Sequence, residues 1–368
     1  MPMKIALFAA RYALSGVPLA QIRFARSLAA LGHDVELIFG LVNPGYKLPV
    51  IEGVNVLDLN QSRVVGMIFP IYSYFKSSRP DVVFSAGDHL NAILLLAALM
   101  SRSAAKISCS SRVTPFDTYS NVPFTKRWIL KHLMRAVMWR ANSLTCVSED
   151  MVAQYKRVFN SSSHACIYNI ICDKNAQVKM HEYVDEEWIN SKSDPIIIAA
   201  GMLEPWKGFV DLVYSMEILL KTRNAKLLIL GDGSLRNDLQ CLIESLNLSH
   251  AIKLIGYVDN PLKYFKKSDI FVLSSYVEGM PNVLVEAMMC GCTPVATDCP
   301  TGPSELLGEG KYGYLVPVGD TNAMASAISQ ALDRPIKKNI LQEAIKPFEE
   351  ETVIAKHFAA LGIANLRA

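Results

Sequence analysis

Short apolar runs alternate with amphipathic stretches of helical spacing along this sequence, and the alternation runs through twice. In the first half KIALFAA (4–10), HDVELIFG (33–40), VNVLDLN (54–60), DVVFSAG (81–87), KISCSS (106–111) and SLTCVS (143–148) read as strands. Between the first two, Ile22, Ala25, Leu28 and Ala29 fall at helical spacing and Gly32 supplies a stop; HLNAILLLAALM and WILKHLMRAVMWRA read as further helices. Strands separated by helices of this length require parallel crossovers, which predicts an α/β, doubly wound sheet covered on both faces. The pattern restarts at PIIIAAG (195–201) and continues through helix 208–221, KLLILGDG (226–233), KLIGYV (253–258), DIFVLSS (269–275), helix 282–290, TPVATD (293–298) and YLVPVGD (314–320). The polar stretch 174–194 reads as a linker. The expected organisation is a domain at 1–180, a second at 190–345, and a tail at 346–368 whose helix, around 349–365, packs back on the first domain. Two such Rossmann-like domains facing a central cleft would hold a ligand at the carboxyl ends of both sheets.

Composition narrows the class. With 368 residues, 51% hydrophobic and 19% charged, the chain can bury two cores and is neither a disordered tail nor a coiled coil. A net charge of +3 gives no argument for nucleic acid. The longest apolar run, Ile93 to Met100, is under half the roughly 20 residues of a spanning helix. IALFAA, interrupted by Arg11, is too short for the core of a signal peptide. The expectation is a cytoplasmic protein whose cysteines are reduced thiols. Cys290, Cys292 and Cys299 lack a nearby histidine and read as small buried residues rather than as a metal site.

The informative residues lie between 199 and 298. Glu278 follows a strand, Gly279 and Pro281 force a turn, and Glu286 sits one or two turns into the helix that begins near Asn282. One segment thus offers two carboxylates, suited to vicinal hydroxyls, and a helix start whose free N–H groups suit an anion. A surface glutamate and a helix-facing glutamate without a role would produce the same spacing. Lys207-Gly208 opens another helix after the strand ending at Gly201, where a lysine either meets a diphosphate or is simply solvated. Gly231 and Gly233 of GDGS read as turn glycines first, because the third glycine of a dinucleotide fingerprint is absent.

In this order and spacing, GMLEPWKG, LLILGDGSL, GYVDN, DIFVLSSYVEGMPNVLVEAMMCGCTPVATD and YLVPVGD resemble the retaining glycosyltransferases of family 4, which have the GT-B fold. The block from Glu278 to Glu286 is similar to that family's E-x(7)-E motif, and CPTGPSELL (299–307) is similar to bacterial surface-polysaccharide members. Weaker likeness extends to the loop at Ser15-Gly16, LAALGHDVELI, ISCSSRVTP and IYNII (167–171). The resemblance implies roles residue by residue. Lys207 would bind the donor diphosphate, Glu278 the hydroxyls of the transferred sugar, and Glu286 the ribose. Tyr257 and Val258 would lie beside the base. Gly279 and the amides of Asn282, Val283 and Leu284 would serve the donor and its phosphates. Gly16 would let its loop approach the phosphate, and Arg112 would meet the acceptor or the reacting sugar.

The implied reaction moves a sugar, with retention, from a nucleotide-sugar donor (a UDP-sugar by the subgroup resemblance) to a glycan or lipid-linked acceptor in polysaccharide or lipopolysaccharide synthesis. A sugar-nucleotide epimerase of the same fold and a non-catalytic nucleotide-sugar-binding subunit are the alternatives. The family usually carries an arginine where Met202 stands, so one expected cation is missing. No metal and no other cofactor is expected: no two aspartates stand two positions apart, and Lys207 with a helix N-terminus can neutralise a diphosphate. Residues 124–140 (FTKRWILKHLMRAVMWR) are basic, with Trp128, Ile129, Leu133, Ala136 and Val137 able to share an apolar sector. That composition suits either an anionic membrane surface, on the inner face of the cytoplasmic membrane, or a sheet-covering helix with a solvated basic face. The apolar, aromatic tract 63–80 would line an acceptor groove or belong to the core.

Overall fold

The apolar runs form two parallel sheets in the computed structural model, which describes residues 2–13, 16–160, 163–191 and 193–363. The chain divides into two units, Met1–Ile170 with Glu350–Ala368, and Ile171–Glu349.

The first unit carries β1 (Lys4–Tyr12), β2 (Asp34–Val42), β3 (Val54–Asp58), β4 (Val82–Ala86), β5 (Lys106–Ser111), β6 (Ser143–Cys146) and β7 (His164–Cys166) in the order β3-β2-β1-β4-β5-β6-β7. All pairings are parallel, with Ile5 opposite both Val35 and Val82. The order reverses between β1 and β4, the position at which a doubly wound sheet opens a crevice at its carboxyl edge. β4 is buried along its whole length, as helices on both faces require. Ile5, Leu7, Phe24 and Leu28 share a core with Val353, Ile354 and Phe358 of the helix Glu350–Ala360. Lys106 Nζ ties off the end of that helix by donating to the carbonyls of Leu361 and Gly362.

The second unit carries β8 (Ile196–Ala200), β9 (Lys226–Leu230), β10 (Ile252–Gly256), β11 (Ile270–Leu273), β12 (Thr293–Thr297) and β13 (Tyr314–Val316). Their order, β10-β9-β8-β11-β12-β13, is again parallel throughout and reverses between β8 and β11.

Three boundaries differ from the sequence expectation. The first unit ends at Ile170 rather than near 180, and 174–194 is no free linker. It contains the helices Lys174–Lys179 and Glu187–Ser191 and packs on the second unit. Asn260 Nδ2 donates to Lys179 O and Glu182 Oε2, both at 2.8 Å, and Lys253 Nζ meets Glu186 Oε1 at 2.7 Å. The ammonium groups of Lys226 and Lys253 both lie over the Trp188 ring, at 5.2 and 4.8 Å from its centroid. Scattered apolar residues (Ala176, Met180, Val184 and Ile189) are buried beside these polar bonds, and because they form no continuous run an apolar-run reading passes over them. The tail helix ends at Ala360, and the unit boundary before it falls at Glu349 rather than near 345. Finally, the basic helix spans Lys126–Val137 and buries Leu130, Met134 and Val137, while Ile129 and Ala136 of the expected apolar sector face solvent. In the tract 63–80, Met67, Ile71, Tyr74 and Phe75 are core, and Val65 and Phe69 are exposed.

Candidate active site

The strongest constellation sits where the strand order of the second unit reverses. The loop after β8 carries Pro205–Lys207 as one 3-10 turn, and the loop after β11 carries Glu278. Lys207 Nζ lies 2.6 Å from Glu278 Oε1, with side-chain exposures of 19% and 10%. Ser275 Oγ donates to the same oxygen at 2.6 Å. The two loops are laced together beneath this pair: Ser274 Oγ donates to Lys207 O at 2.8 Å, and Tyr276 N to Trp206 O at 2.8 Å. Gly208 has φ +66°, and a Cβ there would stand 2.0 Å from the Ser274 carbonyl oxygen, so only glycine permits the approach. Thr301 donates its hydroxyl to the Glu278 carbonyl. A charge-assisted bond between groups this shielded holds both side chains in one geometry.

Gly231 is a packing glycine: a Cβ there would lie 1.9 Å from Gly201 O. Gly233 is pressed in the same way against the backbone of Leu203, and Ser234 donates from its amide and hydroxyl to the Glu204 carboxylate. The GDGS turn therefore serves to seat the loop that carries Lys207.

Downstream of Glu278, Gly279 and Pro281 turn the chain into the helix Asn282–Cys290, as expected. Its first amides do not all stay open. Asn282 N donates to Met280 O and Leu284 N to Pro281 O, each at 2.9 Å, so two of the three amides expected to serve an anion have carbonyl partners here. Among the described residues the Val283 N–H has no carbonyl partner. The cause is the tight Gly-Met-Pro turn, which bends carbonyls back onto the first helical turn. Glu286 is half-buried in that helix, four residues on from Asn282. Tyr257, 57% exposed, and Val258 follow β10 directly.

The remaining expected residues belong to the first unit. Gly16 is the first residue of the helix Gly16–Ala30, and a Cβ on it would meet nothing within 4 Å. Its neighbour Ser15 lies outside the described residues. Arg112 directly follows β5. It donates through Nη1 to Asn169, and its Nε is buried without a partner. Burial pulls its guanidinium down to about 10, so it remains a cation at neutral pH. Met202 is 57% exposed and supplies no charge to the β8 loop. Among the described residues no group of three or more His, Cys, Asp or Glu could hold a metal ion.

Several participants escaped the sequence reading. Ser274, Ser275 and Thr301 carry no motif that marks them, though two serines at a strand's carboxyl end were a usable signal. In the first unit, Asp88 gathers the hydroxyls of Ser111, Tyr119 and Tyr155. The tyrosines lie far along the chain, so no spacing rule finds them.

The chain is similar to known proteins along most of its length. Residues 15–167 match the family described as glycosyl transferase 4-like domain, and residues 182–347 that described as glycosyl transferases group 1. An N-acetylgalactosamine-N,N'-diacetylbacillosaminyl-diphospho-undecaprenol 4-alpha-N-acetylgalactosaminyltransferase of Campylobacter jejuni is 30% identical over 276 residues, 73% of this chain and 73% of that protein. A second Campylobacter jejuni enzyme, a GalNAc-alpha-(1->4)-GalNAc-alpha-(1->3)-diNAcBac-PP-undecaprenol alpha-1,4-N-acetyl-D-galactosaminyltransferase, is 25% identical over 360 residues, covering 93% and 92% of the two chains. Among solved structures, Anabaena HepE in complex with UDP superposes with a TM-score of 0.74 at 16% identity over 98% of this chain and 100% of that one. Two parallel-sheet units, a Lys–Glu pair at a switch point and full-length similarity to such enzymes lead to one assignment: the chain belongs to the GT4-type glycosyltransferases of the GT-B fold.

Proposed function

We propose that this glycosyltransferase acts with retention, taking a sugar from a nucleotide-sugar donor, a UDP-sugar, to a glycan or lipid-linked acceptor in polysaccharide biosynthesis. The observation that carries this reading is the Lys207–Glu278 pair at the β8/β11 switch point, next to the start of the helix Asn282–Cys290. Breaking a glycosyl–phosphate bond leaves negative charge on a diphosphate. Lys207 and the Val283 N–H, at the positive end of the helix dipole, can take up that charge without a metal. Glu278 Oε1 is engaged by Lys207 and Ser275, which leaves Oε2 to accept from a sugar hydroxyl. Glu286 accepts from the ribose hydroxyls, Tyr257 and Val258 flank the base, Gly16 serves the phosphate, and Arg112 serves the acceptor or the reacting sugar.

The UDP bound to HepE supports the donor class, and the undecaprenol-linked substrates in the names of the Campylobacter enzymes support the acceptor class. A lipid-linked acceptor also gives the basic helix a purpose. Phe124, Ile129 and Trp139 are exposed beside Lys126 and Arg135, which suits peripheral binding to an anionic bilayer.

The test is a transfer assay with a panel of nucleotide sugars and polyprenyl-diphosphate-linked acceptors, with the product anomer read by NMR. Product of the donor's own anomeric configuration, formed in EDTA, is the expected result. Donor turnover without acceptor would favour the epimerase, donor binding without turnover a non-catalytic subunit, and inverted product would overturn retention.

A further inference from the structure

Both chain neighbours of Arg112 are tied to one buried carboxyl group. Asp88 is 3% exposed and opens the helix Asp88–Ser101 directly after β4 and Gly87. Its Oδ1 accepts from Ser111 Oγ at 2.8 Å and from Tyr119 Oη at 2.9 Å. Its Oδ2 lies 2.8 Å from Tyr155 Oη, which is itself 3.3 Å from the carbonyl oxygen of Val113. Ser111 and Val113 flank Arg112, so the cluster grips the backbone on both sides of it. No lysine, arginine or histidine side chain bonds to Asp88 among the described residues.

Proton counting makes the arrangement more specific. Tyr155 has one hydroxyl proton and two acceptors within reach. With an ionised Asp88 that proton goes to Oδ2, and the Val113 carbonyl faces a lone pair. With a proton on Oδ2, the acid donates to Tyr155 Oη, Tyr155 donates to Val113 O, and Oδ1 accepts from Ser111 and Tyr119. The Val113 carbonyl is then satisfied as well, while all three hydroxyls keep an acceptor, the fuller pairing that buried polar groups favour. Burial pushes the Asp88 carboxyl up, against the opposite pull of the three hydroxyls and of His89, and it also pushes up the facing thiols of Cys109 and Cys146 and both tyrosines.

We propose that Asp88 is a positioning residue that, as a neutral acid, clamps Ser111 and Val113 and so holds Arg112 in its working orientation. The inference rests on the reading that Arg112 meets the acceptor or the reacting sugar. Arg112 needs such a clamp because, among the described residues, its side chain bonds to Asn169 alone and no carboxylate steers it. An error of about 1 Å in placing such a group can cost on the order of a hundredfold in rate.

The experiment is a double-mutant cycle on kcat/KM with Asp88→Ala, Arg112→Ala and both together, beside Asp88→Asn and Tyr155→Phe. Asp88→Ala should lose about tenfold to a hundredfold. Asp88→Asn should stay within about threefold of the parent, because its amide donates to Tyr155 while its carbonyl accepts from Ser111 and Tyr119. In the Arg112→Ala background, Asp88→Ala should cost less than about threefold more, the signature of action through Arg112. If Asp88→Ala does not fold, Tyr155→Phe, which keeps the acid and cuts the relay, takes its place in the cycle. Additive losses, or an Asp88→Asn as impaired as the alanine variant, would overturn the proposal. Undiminished transfer by Arg112→Ala beside collapse of Lys207→Ala would overturn it too, with the transferase reading intact. If the parent transfers nothing from any donor, that reading fails. The clamp is then decided by the infrared carbonyl band of a protonated acid, present in the parent and absent in Asp88→Asn, and by amide exchange of residues 111–119.

Discussion

Oε1 of Glu278 accepts from both the Lys207 ammonium and the Ser275 hydroxyl at 2.6 Å, so a single oxygen fixes where the ammonium stands. The pair is a positioned charge rather than a surface ornament, because neither side chain is more than 19% exposed. Removing one partner strands the other, which separates its loss from that of an ordinary surface ion pair.

Lys207→Ala should lower kcat by about a hundredfold or more, as loss of a preorganised charge-stabilising group does elsewhere. Lys207→Arg should recover only part, since the planar fork does not reproduce a point charge at 2.6 Å from Glu278. Steady-state rates at saturating donor check this, and an alanine variant of undiminished kcat would remove Lys207 from the mechanism.

Glu286→Ala should act mainly on donor binding. A hydrogen bond to a charged group contributes about 1.5–3 kcal/mol, so the donor Kd should rise roughly tenfold to a hundredfold. Calorimetry with UDP and with uridine locates the loss: both should weaken together, since both carry the ribose.

Met202→Arg should strengthen donor binding or catalysis. Met202 is exposed on the β8 loop, so a longer cationic side chain can be accommodated without displacing core. A second cation on the diphosphate should raise kcat/KM by up to about tenfold, with UDP affinity rising while uridine affinity stays constant. Equal rises for UDP and uridine would place the new side chain on the nucleoside instead.

Vesicle sedimentation tests the proposed membrane contact. The exposed residues are Phe124, Ile129 and Trp139, with Lys126 and Arg135 beside them, while Lys131 is buried and bonded to Asn121. Phe124→Ser with Trp139→Ser should abolish pelleting with anionic vesicles, and each exposed cation should add about 1 kcal/mol, screened by salt. Lys131→Ser should instead lower thermal stability, because it removes a buried bond. Equal pelleting with neutral and anionic lipid would exclude the charge contribution.

Acid should destabilise the first unit through two buried histidines. The His357 ring packs against Phe24 and Phe84, and burial lowers it to about 3; His164 is lowered to about 4 in the same way. Each is neutral when folded and titrates at its ordinary 6.5 when unfolded. Below pH 6.5 the unfolded chain therefore binds more protons, and stability falls with acidification, by up to about 1.4 kcal/mol per pH unit for each histidine, until the folded pKa is reached. Asp88, raised by burial, opposes part of this over the same window. His357→Phe should flatten the decline of Tm between pH 7 and 5, and an unchanged slope would exclude His357 as its source.

What local patterning alone determined was the kind of element and much of its extent. The alternation of apolar runs and helical stretches predicted two parallel α/β sheets, and the reading of a helix over 282–290 after the Pro281 turn matches the helix Asn282–Cys290 to the residue. Periodicity and turn chemistry act over a few residues and can be read there. Which strands become neighbours is a long-range matter. Lys207 and Glu278 stand 71 positions apart and meet because β8 and β11 pair where the strand order reverses. The same holds for Asp88 and Tyr155, 67 apart, and for the bonds that Asn260 and Lys253 make to the segment 174–191. The basic helix shows the limit most directly: its composition pointed to one apolar sector, and packing against the helix Asp88–Ser101 instead buried Leu130, Met134 and Val137 and left Phe124, Ile129 and Trp139 in solvent.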